Sequence, residues 1–297
     1  MKRCAYLTMA EPGDFVTDYD LSYDAMAALG WHAEPVVWND PSLDWDRYDA
    51  VYINTPWDYP QHVDEFLSVL ETIDRSSAVL INPLSLVHWN LEKNYLRDIE
   101  ARGGGIVPSL WCERFDAEHI GDWFAAHGTD RIVVKPAVGA NAADTFVLED
   151  PVPPELIETL SHTFGQRRFF VQPFMPSVIS EGEYSLIFFG GECSHAILKT
   201  PRAGDFRSQE EHGAEIRAIV PTRALLDAAR SIFDCVEPAP AYGRADLVRG
   251  DRDRFLLMEL ELIEPSLYLR TDAGSPARSE VDEELQALKK RVRIETK

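Results

Sequence analysis

The chain has 297 residues, 45% hydrophobic and 10% aromatic, with 29 lysines and arginines against 50 aspartates and glutamates, a formal net charge of −21. That much apolar material buries a sizeable core, while the excess of carboxylates repels DNA, RNA and anionic lipid, so no nucleic-acid or membrane partner is expected. No 18-residue apolar stretch suits a membrane span, the apolar run after Met1 is too short for a signal peptide, and the four dispersed cysteines fit a reducing cytoplasm.

In chain order, residues 4–9 form a short apolar run, 20–29 have helical spacing that stops at Gly30, and 33–38 and 50–54 are again apolar. A helix follows over 62–73, where Phe66, Leu67, Leu70 and Ile73 recur every three or four residues. This alternation predicts a βαβ unit with a small parallel sheet, closed by Asn82-Pro83. A helix over 89–102 carries Lys93 and ends at three consecutive glycines, Gly103 to Gly105. A strand over 107–110, a helix over 116–127 and a strand over 131–136 come next. The small-residue stretch 137–143, with Gly139, Ala140 and Asn141, then leads into a strand over 144–148. Such a stretch is either a mobile loop whose N–H groups approach a ligand or a plain hairpin connection. Past Pro151 to Pro154, a helix leads to a strand over 169–173. The last part reads as strands over 183–189, 192–199, 216–220, 242–249 and 254–261, with a helix over 222–235 and a charged helix over 279–290. The expected class is α/β (α+β): an N-terminal βαβ domain (1–90), a small central domain (91–175) and a C-terminal mixed-sheet domain (176–297).

Lysine usage is more informative than net charge. The chain has 22 arginines and seven lysines, and only Lys93, Lys135 and Lys199 lie away from its ends. A compact ammonium suits a point-charge phosphate contact. There is no GxxxxGK[ST] loop, GxGxxG, HExxH or GxSxG, and the eight histidines are scattered. On the last strand Glu259 and Glu261 point to one face, and two acids there are costly without a cation. Asp246 approaches them if strands 242–249 and 254–261 pair. The three carboxylates make either a hard-oxygen Mg²⁺ site or an exposed acidic sheet face. Lys199, Arg202 and Arg207 cluster in a Gly-containing segment, which either receives an anionic ligand or is a solvated loop paired with Asp205 and Glu210.

Taken in order, these pieces resemble the ATP-grasp superfamily of carboxylate–amine ligases, and within it glutathione-synthetase-like proteins. The resemblance rests on Lys93, Val133 to Pro136, Val171 to Phe174, Gly182 to Ser185, the 201–207 loop with Gly213, Arg244 to Asp246, and Glu259 to Glu261, across nearly the whole chain. It implies that Lys93 and Lys135 hold ATP phosphates under the loop 139–143. Gln172, Pro173 and Phe174 form the hinge that reads adenine, and Glu183 binds ribose. Asp246, Glu259 and Glu261 bind Mg²⁺, with Mn²⁺ as an alternative ion, and Lys199, Arg202, Arg207 and Arg244 serve the reacting carboxylate. Glu261 stands where the family usually has Asn, and Lys199 where glutathione synthetase has Arg. In the N-terminal unit, 38–40, 54–59, Asn82-Pro83 and Trp89-Asn90 are similar to a branch of small bacterial ATP-grasp proteins that includes the cyclo-ligases of cycloserine biosynthesis. This implies an ATP-dependent ligase for a small amino-acid-like substrate bound near Thr8, Asp58 and Tyr59. Ring closure within O-ureido-serine is the favoured reaction; intermolecular ligation and a non-catalytic ATP-binding module are the alternatives. A homo-oligomer is compatible with the sequence.

Overall fold

A computed structural model describes residues 1–13, 15–139 and 142–271, so Ala140, Asn141 and the helix expected over 279–290 lie outside the described residues. The first part builds the expected parallel sheet in the order β2-β1-β3-β4, from β1 (Lys2–Thr8), β2 (Trp31–Val37), β3 (Ala50–Thr55) and β4 (Val79–Ile81). α1 (Tyr23–Ala28) follows β1, and α2 (Val63–Asp74) follows β3. β1 is apolar on consecutive residues because both its faces are covered. Ala5 and Leu7 pack with Phe66, Leu70 and Ile73 of α2, while Cys4 and Tyr6 pack with Met26 and with Ile187, Phe189 and Tyr242 from the C-terminal part. β4 was not expected; three residues at a sheet edge are too few to show a period.

The helix expected over 89–102 is two helices, α3 (Leu84–Leu91) and α4 (Tyr95–Ala101), so Lys93 sits in the break between them and not on a helix. Glu92 is extended (φ −108°, ψ 131°), and the Lys93 N–H donates to Ala137 O at 2.8 Å instead of to a helical carbonyl. A long-range contact here overrides local helix propensity.

The central sheet, ordered β5-β8-β6-β7, comprises β5 (Leu110–Cys112), β6 (Arg131–Pro136), β7 (Phe146–Glu149) and β8 (Phe169–Pro173). α5 (Ile120–His127) and α6 (Pro154–Phe164) cover it through Trp123, Phe124, Leu160 and Phe164. After the short α7 (Ser177–Ser180) come β9 (Glu183–Phe189), β10 (Glu192–Thr200), β11 (Glu215–Ile219), α8 (Arg223–Phe233), β12 (Tyr242–Arg249) and β13 (Phe255–Glu261). These strands form an antiparallel sheet ordered β11-β10-β9-β12-β13. Its mixed character arises at the edge, where Ile106 bridges Leu257 in parallel. Residues 105–107 bond to β13 there, and β5 starts only beyond Pro108, which has no N–H to give a ladder. α8 supplies Leu225, Ala229 and Ile232, and α4 supplies Tyr95, Leu96 and Ile99, to the core under this sheet.

Three side chains fasten the end of β13. Asn82, at φ 58°, donates to Tyr242 O (2.9 Å) and Leu262 O (2.7 Å) and accepts from the Ala241 N–H (2.7 Å). Asn90 donates to Leu260 O (2.9 Å) and accepts from the Leu262 N–H (2.8 Å), so its amide brackets Glu261. The Trp57 indole N–H donates to Glu264 O at 3.0 Å.

Candidate active site

A cleft of about 830 Å³ opens between the central and C-terminal sheets, lined by Lys93, Lys135, Gly139, Gln172, Pro173, Phe174 and Glu183, all predicted from the sequence. Strand alternation explains β6: Ile132 and Val134 enter the core beneath, and Val133 and Lys135 face the cleft. The Lys93 ammonium lies 2.9 Å from Glu259 Oε1 and donates to Gly139 O at 2.7 Å. Burial lowers the Lys93 pKa but Glu259 raises it further, so the net shift is upward; burial dominates for Lys135, which is lowered.

Gln172 is 1% exposed. Its Nε2 donates to Ser109 Oγ (3.0 Å), while its buried Oε1 has no partner among the described residues. A vacant acceptor beside the apolar side chains of Met175, Val178 and Met258 fits the exocyclic amine and flat face of adenine. The Phe174 N–H is already committed to Arg131 O at 3.0 Å, so hinge reading by the backbone does not use that group. Met258 was missed because it occupies a bulge. Asp246 pairs with Glu259 and Leu247 with Leu257, so Met258 is the extra residue of β13. The bulge also explains why Leu257, of the same parity as Glu259 and Glu261, is buried with Leu260.

Next to the cleft, sharing Glu183, Gln209 and Glu259 with it, is a polar chamber of about 590 Å³ that also contains Asp246, Glu261, Glu264, Lys199 and Arg244. β12–β13 pairing sets Asp246 opposite Glu259 as expected, and carboxylate oxygens of Asp246, Glu259 and Glu261 lie within 4.8 Å of one another. Arg244 reaches Asp246 Oδ2 (3.0 Å) and Glu261 Oε1 (2.6 Å). Lys199 pairs with Glu183 and stands 3.3 Å from Asp246 Oδ1, which also accepts from the Ser185 hydroxyl. Burial opposes ionisation of Asp246, but Arg244 and Lys199 hold it well below the usual carboxylate range. Burial pushes Glu261 up to about 8 despite Arg244, with Glu259 and Asp246 adding to the rise. Burial likewise takes Glu264 to about 7. The chamber therefore holds more acidic groups than cations, and this oxygen set fits a hard divalent ion.

The loop cations do not form the free cationic cluster that spacing suggested. Lys199 is 2% exposed and engaged by two carboxylates. Arg207 lines the cleft but forks onto Asp205 (3.0 and 2.7 Å). Arg202 is exposed and lies outside both the cleft and the chamber. Glu210 pairs with Arg270. Glu183 reaches the cleft with its carboxylate held by Lys199. In the N-terminal part, Asp58 accepts the Trp38 indole N–H (2.8 Å), Thr8 accepts the Thr55 hydroxyl (2.8 Å), and the buried Tyr59 lies beside Glu264. Phe15, Gln209 and Glu211 also line the chamber and were not marked by the sequence.

Comparison with known proteins connects this geometry to a family. Residues 4–82 match the family described as D-cycloserine synthetase DcsG, N-terminal domain. Over 272 residues, 85% of this chain and 88% of the relative, the chain is 32% identical to the cycloserine biosynthesis protein DcsG of Streptomyces lavendulae. The chain belongs to the DcsG family of ATP-grasp ligases. A crystal structure of D-cycloserine synthetase DcsG is similar at TM-score 0.82 and 28% identity, covering 98% of this chain and 99% of that one. The ATP-grasp ligase PsnB, solved with a phosphomimetic precursor variant, Mg and ADP, shares the fold at TM-score 0.65 and 14% identity, covering 95% and 97%. The protein is thus an ATP-dependent ligase that forms carbon–nitrogen bonds. Among the described residues, no helix is long and apolar enough to cross a membrane.

Proposed function

We propose that the protein closes a ring within one small amino-acid-like substrate in the cytoplasm, converting O-ureido-D-serine to D-cycloserine: the ring nitrogen attacks the activated carboxylate and phosphate leaves, while water removes the terminal carbamoyl group as carbon dioxide and ammonia. The observation that carries this reading is the polar chamber against the nucleotide cleft, where three carboxylates converge beside Arg244 in a space suited to a small polar molecule. Bound MgATP supplies the phosphoryl group that makes the substrate carboxylate a reactive acyl phosphate.

The remaining work falls to the chain. Lys93 and Lys135 offset phosphate charge in the cleft, which Gly139 also lines. Gln172, Pro173 and Phe174 hold the base. Asp246, Glu259 and Glu261 would hold Mg²⁺, and Mn²⁺ is acceptable to the same oxygens. Arg244 orients the substrate carboxylate, and Arg207 serves the phosphate side. Lys199 is a positioning residue that fixes Glu183 and Asp246. With nucleophile and carboxylate in one molecule, holding the two together supplies a large part of the acceleration. Trp57 and Tyr59, in the segment after β3, serve the substrate side.

The test is ADP release and D-cycloserine formation with O-ureido-D-serine beside a panel of amino acids and amines. Turnover with that substrate alone is expected, and Glu259→Gln should lower it by about 100-fold or more, since even outer partners of a metal site are worth 10–100-fold. Undiminished turnover in Glu259→Gln would remove this carboxylate from the metal site, and preference for an added amine would replace ring closure by intermolecular ligation.

A further inference from the structure

The carboxylates of the polar chamber are not equivalent. Glu183 is taken by Lys199, Asp246 by Lys199 and Arg244, Glu261 by Arg244, and Glu259 by Lys93. Glu211 is exposed to solvent. Glu264 differs from all of these: it is 8% exposed, and no lysine, arginine or histidine among the described residues stands within ion-pair distance of it. Its neighbour is the buried Tyr59, whose phenol is uncharged. The Lys93 ammonium, in the same side pocket, is already given to Glu259 and Gly139 O. Nor does Glu264 belong to the group of three carboxylates whose oxygens lie within 4.8 Å of one another, so an ion held there leaves it unmatched.

A buried carboxylate without a cation is costly, and Glu264 lines the chamber, where a cation can reach it. Its main chain is held in place, since the Trp57 indole N–H donates to its carbonyl at 3.0 Å and Pro265 behind it narrows its backbone freedom. Arg244, which orients the substrate carboxylate, lines the same chamber. In an α-amino acid the ammonium and the carboxylate sit on one carbon, so a chamber that receives the carboxylate receives the ammonium with it. The ureido end of the substrate is uncharged and supplies no cation.

We propose that Glu264 is the specificity-determining residue of the chamber, receiving the α-ammonium group of the substrate in a charge-assisted hydrogen bond. This rests on the reading of the chamber as the substrate site and not on ring closure. The test compares, by ADP release, each α-amino acid of the substrate panel with its counterpart lacking the α-amine, O-ureido-D-serine with 3-(ureidooxy)propanoate among them. The wild type is expected to favour the amine-bearing member by about 100-fold in kcat/KM, the worth of a hydrogen bond between charged groups. Glu264→Gln should cost that member about 100-fold and change its counterpart by less than about 3-fold, so that the preference collapses. Glu264→Asp, which keeps the charge, should recover part of it. MgADP affinity and the Mg²⁺ concentration for half-maximal activity should keep their wild-type values in both variants. If O-ureido-D-serine yields no D-cycloserine while another amino acid of the panel is turned over with this dependence on Glu264, ring closure fails and the role of Glu264 stands. A wild type indifferent to the amine, equal losses for both members of a pair, or a raised Mg²⁺ requirement in Glu264→Gln would overturn the proposal; the first of these needs no variant, so it decides even where the substitutions do not fold.

Discussion

Asn90 shows how a side chain that touches no reactant can set the chemistry. Its amide bonds both neighbours of Glu261, so Asn90→Ala leaves Leu260 O and the Leu262 N–H buried and unpaired. The expected cost is about 2–4 kcal/mol by denaturant unfolding, with the Mg²⁺ concentration for half-maximal activity rising about 10-fold. An unchanged Mg²⁺ requirement at reduced stability would make Asn90 a structural residue only. At this scale the sequence was informative about charge type and less so about partners. The lysines and the Asp246, Glu259 and Glu261 set were legible from composition and strand alternation. The Asp205–Arg207 pair was one of the two readings open for the loop, whereas the capture of Lys199 by Glu183 and Asp246 depends on register geometry that no spacing reveals.

Elements place these residues through small irregularities. The break after α3 turns Lys93 toward Gly139, and the bulge at Met258 brings both that side chain and Glu259 to the cleft. Neither has a periodic signature: one is a long-range bond to Ala137 O, the other a single unpaired residue within an apolar run. The start of β9 depends on Gly182, at φ +123°, where an added Cβ would stand 2.8 Å from both Lys199 O and Leu198 Cδ1. Gly182→Ala is therefore expected to cost about 2 kcal/mol or more and to disturb the Glu183–Lys199 pair that follows it. Chemical denaturation checks the first effect and MgADP affinity the second. Long elements with clear periods, such as α2 and α8, were legible because burial of one face dictates the pattern, and β9 was legible as a continuous apolar run buried on both faces.

For the whole molecule, the net charge of −21 conceals a local arrangement in which buried acids outnumber the cations of one chamber. Such a site stabilises the fold when filled. MgADP at 100 times its Kd should add about 2.7 kcal/mol and raise the melting temperature by several degrees. Chelating the metal should remove most of the gain, and a gain independent of Mg²⁺ would separate the carboxylates from nucleotide binding. The central claim is that this arrangement activates a substrate carboxylate, and oxygen tracing tests it most directly. With ¹⁸O in the carboxylate of O-ureido-D-serine and unlabelled ATP, each phosphate released is predicted to carry one ¹⁸O. Phosphate released during turnover without label would contradict the account.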